Sequence, residues 1–206
     1  MFQSILITAA LGYFIGCFQS AYLLIRWIKK QDIREHGFGN AGASNTVSSF
    51  GWRLGIVVAL LDILKPILSI ILLKQMIAWG WVNDYPFLVM FNGFFVILGH
   101  NYPFYLNFKG GKGTASLIGL MIAIHPLYSL FGLILFVISA LVSNYIVMGT
   151  VALLVYFIGI SLYLKMGTVA VLFAVLIAAQ SLYLHLPNFK RIANKTETKI
   201  TSKLKK

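Results

Sequence analysis

The sequence predicts an all-α membrane protein, a bundle of about seven transmembrane helices with its N-terminus outside and its C-terminus in the cytoplasm. Three observations predict this fold. Of the 206 residues, 59% are hydrophobic and only 11% are charged, whereas soluble domains carry about 25% charged residues. Most hydrophobic residues fall into long runs. The 17 Lys and Arg residues, against 5 Asp and Glu, concentrate in the polar segments between and after those runs.

The apolar runs define the predicted helices in chain order. They cover residues 4–28, 52–73, 85–98, 115–142, 145–164 and 169–184. The first run has no basic segment before it, so we expect one retained span and not a cleaved signal. The run at 115–142 is interrupted by His125-Pro126, and proline ends or kinks a helix. We therefore expect a turn there between two short helices.

Charge predicts which polar segments share a side of the membrane. The first loop, the loop at 99–114 and the end of the chain hold most of the Lys and Arg, and basic segments of membrane proteins stay in the cytoplasm. Those three segments can share one side only if residues 115–142 cross twice. The sequence thus predicts a single integral membrane domain over residues 1–206, with a basic cytoplasmic tail from about residue 186.

The loop at 99–114, GHNYPFYLNFKGGKGT, is the first candidate site and is named the glycine loop. Glycine allows backbone N–H groups to approach a ligand, and successive N–H groups can bind an anion. We expect Thr114 to cap a helix that begins near Ala115, which brings a positive helix end to the same place. The alternative is a flexible basic loop facing anionic lipid. The candidate phosphate-binding residues are Lys109, Gly110, Gly111, Lys112 and Gly113.

Two other polar segments are candidate sites. The first loop, DIREHGFGNAGASNTVSSFG, contains Asn40 and Asn45 among many small or hydrogen-bonding residues; it is either a binding loop or a connector rich in turn residues. In the tail, His185 and Asn188 are three residues apart and share a face if they lie on a helix. The pair is either catalytic or an interfacial anchor.

Charges inside a predicted span and the scarcity of metal ligands limit the alternatives. Asp62 and Lys65 lie within the second run, where a charge costs about 2.5–3.5 kcal/mol, so they should face protein or water. They form either a buried pair that joins helices or a substrate contact. The histidines are scattered, Cys17 is the only cysteine, and carboxylates do not cluster. We expect no metal site, and a chain this apolar argues against a nucleic-acid partner.

Four segments of the chain, in order, resemble the motifs of the bacterial membrane glycerol-3-phosphate acyltransferases that use acyl phosphate: SAYLLIRW…DIREHGFGNAGASNT, LLDILK, GHNYPFYLNFKGGKGTA and HLPNFKRI…TETK. The resemblance implies a seven-helix protein of the bacterial inner membrane with its active site at the cytoplasmic face. It implies transfer of a fatty acyl group from acyl phosphate to the 1-hydroxyl of glycerol 3-phosphate, giving lysophosphatidic acid. Neither a cofactor nor a metal is implied.

The resemblance also assigns residue roles. It implies that Gly110, Gly111, Lys112 and Gly113 bind glycerol phosphate, and its remaining site residues match Asn40, Asn45, His185 and Asn188. The last two would be catalytic. Two alternatives belong to other classes: a non-catalytic membrane protein that binds phosphate or anionic lipid, and a small-solute carrier with the Asp62 and Lys65 charges in its path.

The chain departs from the family pattern at five positions. Gln19 stands where proline is expected, Phe38 for serine, Ser48 for arginine, Asn144 for arginine and Val147 for serine. The changes at Phe38 and Ser48 remove phosphate-binding groups from the first loop. We therefore expect weak activity with glycerol 3-phosphate in this chain.

Overall fold

The computed structural model describes residues 1–201, and every regular element within that range is helical. The α-helices are α1 Phe2–Gly16, α2 Ser20–Lys29, α3 Ala43–Phe50, α4 Trp52–Ala78, α5 Leu88–Asn101, α6 Thr114–Ile124, α7 Pro126–Ser143, α8 Ile146–Tyr163 and α9 Thr168–Ala193. Two 3₁₀ turns cover Ile33–Glu35 and Phe104–Leu106. The all-α prediction is confirmed for this range. Residues 202–206 of the predicted tail lie outside it.

Length and composition identify which helices can cross a membrane. Within the described range, five segments are long and apolar enough: Phe2–Lys29, Trp52–Ala78, Pro126–Ser143, Ile146–Tyr163 and Thr168–Ala193. Helix α6 is apolar but shorter, and α5 has 14 residues. The expected class, a membrane protein with several spanning helices, agrees with this result. The number of crossings and the orientation of the termini stay predictions.

The predicted span over residues 4–28 corresponds to the candidate span Phe2–Lys29, but it is divided, because α1 ends at Gly16 and α2 begins at Ser20. The break exposes backbone carbonyls that an unbroken helix would have satisfied. Side chains from distant segments bond to two of them. The Tyr105 hydroxyl donates to the Cys17 carbonyl at 2.7 Å, and the Lys65 ammonium donates to the Phe18 carbonyl at 2.9 Å. Tertiary contacts therefore stabilise this break.

Other helix boundaries extend or divide the predicted runs. Helix α4 continues to Ala78, and α9 continues to Ala193 with Pro187 inside it, so the basic tail begins as helix. The first loop contains α3, which the sequence analysis did not predict. The expected break at His125-Pro126 is present, since α6 ends at Ile124 and α7 begins at Pro126. Proline suits a first helical position because it has no N–H to leave unsatisfied.

The chain forms two compact units, Met1–Ile124 and His125–Lys206. In the first unit, α1 packs along α5, and α4 packs against α3, α5 and α6. Glycines set the close approach of α1 to α5: a Cβ at Gly12 would lie 2.6 Å from the Asn92 carbonyl oxygen, and a Cβ at Gly16 would overlap the Val96 backbone. Small residues at such positions are typical of helix pairs in membranes.

Buried polar bonds also join the helices of the first unit. The Ser69 hydroxyl of α4 donates to the Asn92 side-chain oxygen of α5 at 2.8 Å, and the Asn92 amide donates to the Thr8 carbonyl of α1 at 3.1 Å. In the second unit, α8 packs against both α7 and α9. Many large apolar side chains of α7 are exposed, as expected of a helix that faces lipid.

Candidate active site

The glycine loop folds back onto the C-terminal end of α5. The Gly110 N–H donates to the Asn101 carbonyl at 3.0 Å, and the Gly111 N–H donates to the His100 carbonyl at 3.0 Å. These bonds satisfy carbonyls that the helix end would otherwise leave unpaired. The N–H groups of Gly110 and Gly111, which were expected to bind phosphate, are therefore already hydrogen-bonded within the protein. Gly110 and Gly111 therefore form the frame of the loop.

Close packing explains why these two positions are glycine. A Cβ at Gly110 would overlap the His100 carbonyl, and a Cβ at Gly111 would overlap the His100 imidazole. His100 is 2% exposed, so its ring has little room to move aside. No role for His100 follows from the sequence alone, although the residue lies inside the loop's own motif.

The N-terminus of α6 begins one residue earlier than expected. The Leu117 N–H donates to the Gly113 carbonyl at 2.8 Å, so Gly113 occupies the N-cap position predicted for Thr114. Gly113 has φ +83°, a conformation that favours glycine. Lys112 immediately precedes this cap and is partly exposed, and Lys109 is exposed. A lysine and a helix N-terminus thus lie together, an arrangement that favours anion binding.

Asn45 organises the first loop. This side chain is 1% exposed, and its oxygen accepts the Phe38 N–H at 2.7 Å. Its amide donates to three carbonyls, those of Ile33 at 3.2 Å, His36 at 3.0 Å and Asn40 at 2.8 Å. The structure therefore places Asn45 at the centre of the loop as its scaffold, and the substrate contact expected of it stays a prediction.

The structure brings the first loop and the glycine loop together. The Ala41 N–H donates to the Gly110 carbonyl at 3.1 Å, and the Arg34 guanidinium donates to the Leu106 carbonyl at 2.8 Å. Asn40, another predicted site residue, is partly buried beside this junction and donates weakly to the Phe38 carbonyl at 3.4 Å. Two of the three candidate segments therefore form one surface.

Arg34 is a residue of this surface that the sequence analysis missed. Its guanidinium pairs with the Asp32 carboxylate at 2.6 Å and lies 5.3 Å from the centre of the Tyr22 ring. The hydrogen bond from Arg34 holds the pKa of Asp32 below its ordinary value. The short sequence separation of Asp32 and Arg34 could have suggested the pair. Nothing in the sequence indicated that Arg34 reaches the second loop.

Asp62 and Lys65 form a buried ion pair beneath the glycine loop. Lys65 Nζ lies 2.8 Å from Asp62 Oδ1, with the side chains 4% and 1% exposed. The Ser20 hydroxyl donates to the same carboxylate oxygen at 2.5 Å. Lys65 also donates to His100 Nδ1 at 2.8 Å, so the neutral ring carries its proton on Nε2. Of the two interpretations left open, the structure matches the buried pair that joins helices.

His185 and Asn188 lie on α9 in the second unit. His185 is 7% exposed, and its Nδ1 lies 2.8 Å from the Ser181 carbonyl oxygen. A carbonyl only accepts, so Nδ1 carries a proton and donates it to this bond. The Asn188 amide donates to Glu197 Oε1 at 2.8 Å, while Arg191 pairs with Glu197 Oε2 at 2.6 Å. Glu197 was not among the predicted site residues.

Comparison with known proteins agrees with the motifs. The family "Glycerol-3-phosphate acyltransferase" matches residues 6–195. The chain belongs to this family. Its relatives include glycerol-3-phosphate acyltransferase 1 of Oceanobacillus iheyensis, 36% identical over 198 residues and 95% of each chain. Glycerol-3-phosphate acyltransferase of Thermoanaerobacter pseudethanolicus is 31% identical over 197 residues and 96% of each chain.

The fold is similar to that of a solved member of the family. The crystal structure of PlsY (YgiH), an integral membrane glycerol 3-phosphate acyltransferase in its glycerol 3-phosphate form, matches with a TM-score of 0.84 at 25% identity. The match covers 96% of this chain and 96% of PlsY. Together with the apolar helices, this similarity identifies the chain as a multi-pass integral membrane member of the family.

Proposed function

We propose that this chain transfers a fatty acyl group from acyl phosphate to the 1-hydroxyl of glycerol 3-phosphate, producing lysophosphatidic acid for phospholipid synthesis. The observation that carries the proposal is the joined surface of the two loops. It combines Lys112, the N-terminus of α6 and backbone bonds that hold the glycine loop in one conformation. A preorganised positive site of this kind suits a phosphate group.

The chemistry needs no metal and no acyl-enzyme, because acyl phosphate is already an activated anhydride. The 1-hydroxyl oxygen attacks the acyl carbon, the bond from that carbon to the phosphate oxygen breaks, and the hydroxyl proton leaves on the released phosphate. His185 would orient the hydroxyl. Asn188, held by Glu197, would orient the leaving phosphate.

The protein is proposed to lie in a bacterial inner membrane as a single seven-crossing domain over residues 1–206, with the N-terminus outside and the active site at the cytoplasmic face. The charge distribution described above supports this orientation. Single cysteines in a Cys17→Ser background test it: one at Ser44 should react only from the cytoplasm, and one at Lys165 only from outside. Reaction of both from one side would contradict the proposed topology.

Purified protein in lipid vesicles, supplied with glycerol 3-phosphate and palmitoyl phosphate, tests the reaction by the lysophosphatidic acid formed. Lys112→Ala should weaken the use of glycerol 3-phosphate by about 1.5–3 kcal/mol, the value of a charged hydrogen bond. Lys74→Ala is the matched control, because Lys74 is an exposed lysine of α4 on the predicted outer side.

Three results would contradict the proposal in different ways. If the two lysine changes had equal effects, the glycine loop would not be the site that binds the phosphate of glycerol 3-phosphate. Binding of glycerol 3-phosphate without product would favour the non-catalytic alternative, and uptake into the vesicles without product would favour a carrier.

A further inference from the structure

Gln19 occupies the break between α1 and α2 and is fully buried. The family resemblance implies a proline at this position. The Gln19 amide donates to the His100 carbonyl at 2.9 Å, with longer contacts to the carbonyls of Gly99 at 3.4 Å and Gly16 at 3.5 Å. A proline could make none of these bonds, since it has no side-chain donor.

The His100 carbonyl has a second donor, the Gly111 N–H of the glycine loop. One oxygen thus joins the α1–α2 break to the loop, with one lone pair for each donor. Two more bonds connect the same parts of the chain. The Tyr13 hydroxyl donates to the Tyr102 carbonyl at 2.9 Å, and the Tyr105 hydroxyl donates to the Cys17 carbonyl at 2.7 Å.

The environment of the Gln19 side-chain oxygen shows that the amide nitrogen, as a donor, is the atom that bonds to the surrounding structure. Gln19 Oε1 is buried and has no hydrogen-bond partner among the described residues. A buried acceptor without a partner is unfavourable. A rotated amide would instead place this oxygen against the carbonyl oxygens, where no bond can form. The side chain is therefore retained in this orientation for its donor.

We propose that Gln19 is a positioning residue for substrate binding: through the His100 carbonyl it holds the glycine loop in the conformation that binds the phosphate of glycerol 3-phosphate. The inference rests on the proposed function for its consequence in turnover. Its structural part, the restraint of the loop, can be measured without turnover.

Gln19→Met tests the proposal, because methionine has a similar volume but no donor. Gln180→Met is the matched control: Gln180 lies on α9, and neither of its amide atoms has a hydrogen-bond partner among the described residues. Losing one buried hydrogen bond should raise KM for glycerol 3-phosphate about five- to tenfold. We expect kcat to stay within about twofold, because no reacting group changes.

Hydrogen–deuterium exchange supplies the readout without turnover. Amide exchange in a peptide covering residues 108–114 should become faster in Gln19→Met and stay unchanged in Gln180→Met, because the Gly111 N–H loses a fixed acceptor. If Gln19→Met does not elute as a folded, monodisperse protein, Gln19→Asn takes its place. Its amide is one methylene shorter and cannot reach the same carbonyl from an unchanged backbone.

Each result supports or overturns the inference. Raised KM together with faster loop exchange, in the Gln19 variant alone, supports it. Unchanged exchange, faster exchange with unchanged KM, or a fall in kcat without a change in KM overturns it. If the wild-type protein makes no lysophosphatidic acid, the proposed function fails, and the exchange comparison still decides whether Gln19 restrains the loop.

Discussion

The first loop and the glycine loop lie against each other but are built in opposite ways. The first loop surrounds one side chain, Asn45, whose amide makes four hydrogen bonds to the backbone. The glycine loop is held by backbone bonds to the end of α5 and by the absence of side chains at Gly110 and Gly111. Removing a side chain should therefore disrupt the conformation of the first loop, whereas adding a side chain should disrupt the glycine loop.

The largest effect on activity is expected from adding a methyl group to the glycine loop. Gly111→Ala adds a Cβ that overlaps the Nε2 edge of the His100 ring, so the loop or the ring must shift. A displacement near 1 Å can lower a rate about a hundredfold, and we expect a loss of kcat/KM of about that size. The control is Gly159→Ala, because Gly159 lies within α8 and a Cβ there meets no atom within 4 Å. Comparable losses in both variants would refute the packing explanation.

Removing the buried charge beneath the glycine loop should lower stability most. Lys65→Met leaves the Asp62 carboxylate buried without its cation, and breaking such a pair costs about 3–5 kcal/mol. Thermal unfolding in detergent measures the loss. Adding Asp62→Asn to the same variant should recover part of it, because the unpaired charge is then gone. A double variant less stable than Lys65→Met alone would contradict this account.

The first loop should respond to the loss of its central amide. Asn45→Ala removes four hydrogen bonds and leaves buried carbonyls unpaired, for a cost of roughly 2–4 kcal/mol. Asn40→Ala removes only one long bond of 3.4 Å and should change the midpoint of thermal unfolding little. Equal destabilisation by the two changes would mean that Asn45 is not the scaffold of this loop.

A smaller effect, a gain in activity, is expected from introducing the serine and arginine that the family resemblance implies as phosphate-binding groups of the first loop. Ser48 is exposed on α3, so a longer arginine side chain has room there. The Ser48 hydroxyl bonds to the Ser44 carbonyl at 3.0 Å. Phe38→Ser together with Ser48→Arg should improve the apparent affinity for glycerol 3-phosphate about tenfold, the lower value for a charged donor. A decrease in the double variant would show that this chain binds phosphate through other groups.

The smallest effect concerns pH. Because Arg34 lowers the pKa of Asp32 in the folded protein, the pair contributes stability above the unfolded pKa, about 3.9. That contribution is lost as pH falls from about 4 through the folded value. A surface pair is worth about 0.2–1 kcal/mol, so Asp32→Asn should lower the unfolding temperature slightly at pH 7 and not at all at the acid end. An equal decrease at both pH values would refute the linkage.

Each loop was only partly predictable from its own residues. The glycines and lysines of 99–114 indicated a phosphate site, but the sequence could not show that α5 uses the N–H groups of Gly110 and Gly111. Asn45 stood out as a polar residue, yet its hydrogen bonds span residues 33–40 and depend on how the loop closes. Local patterns report residue type and spacing, while these bonds depend on backbone paths.

The sequence by itself determined the membrane class, the apolar helices, the break at His125-Pro126 and the family motifs, because each follows from hydropathy, proline geometry or residue identity over a short stretch. Only the tertiary structure decided the break between α1 and α2, the pairing of the two loops and the position of His100. Groups far apart in the sequence make those features: Tyr105 and Lys65 bond to the carbonyls at the break. These groups are far apart in the sequence, so no short stretch of residues indicates that they meet, and only the packing of the helices brings them together.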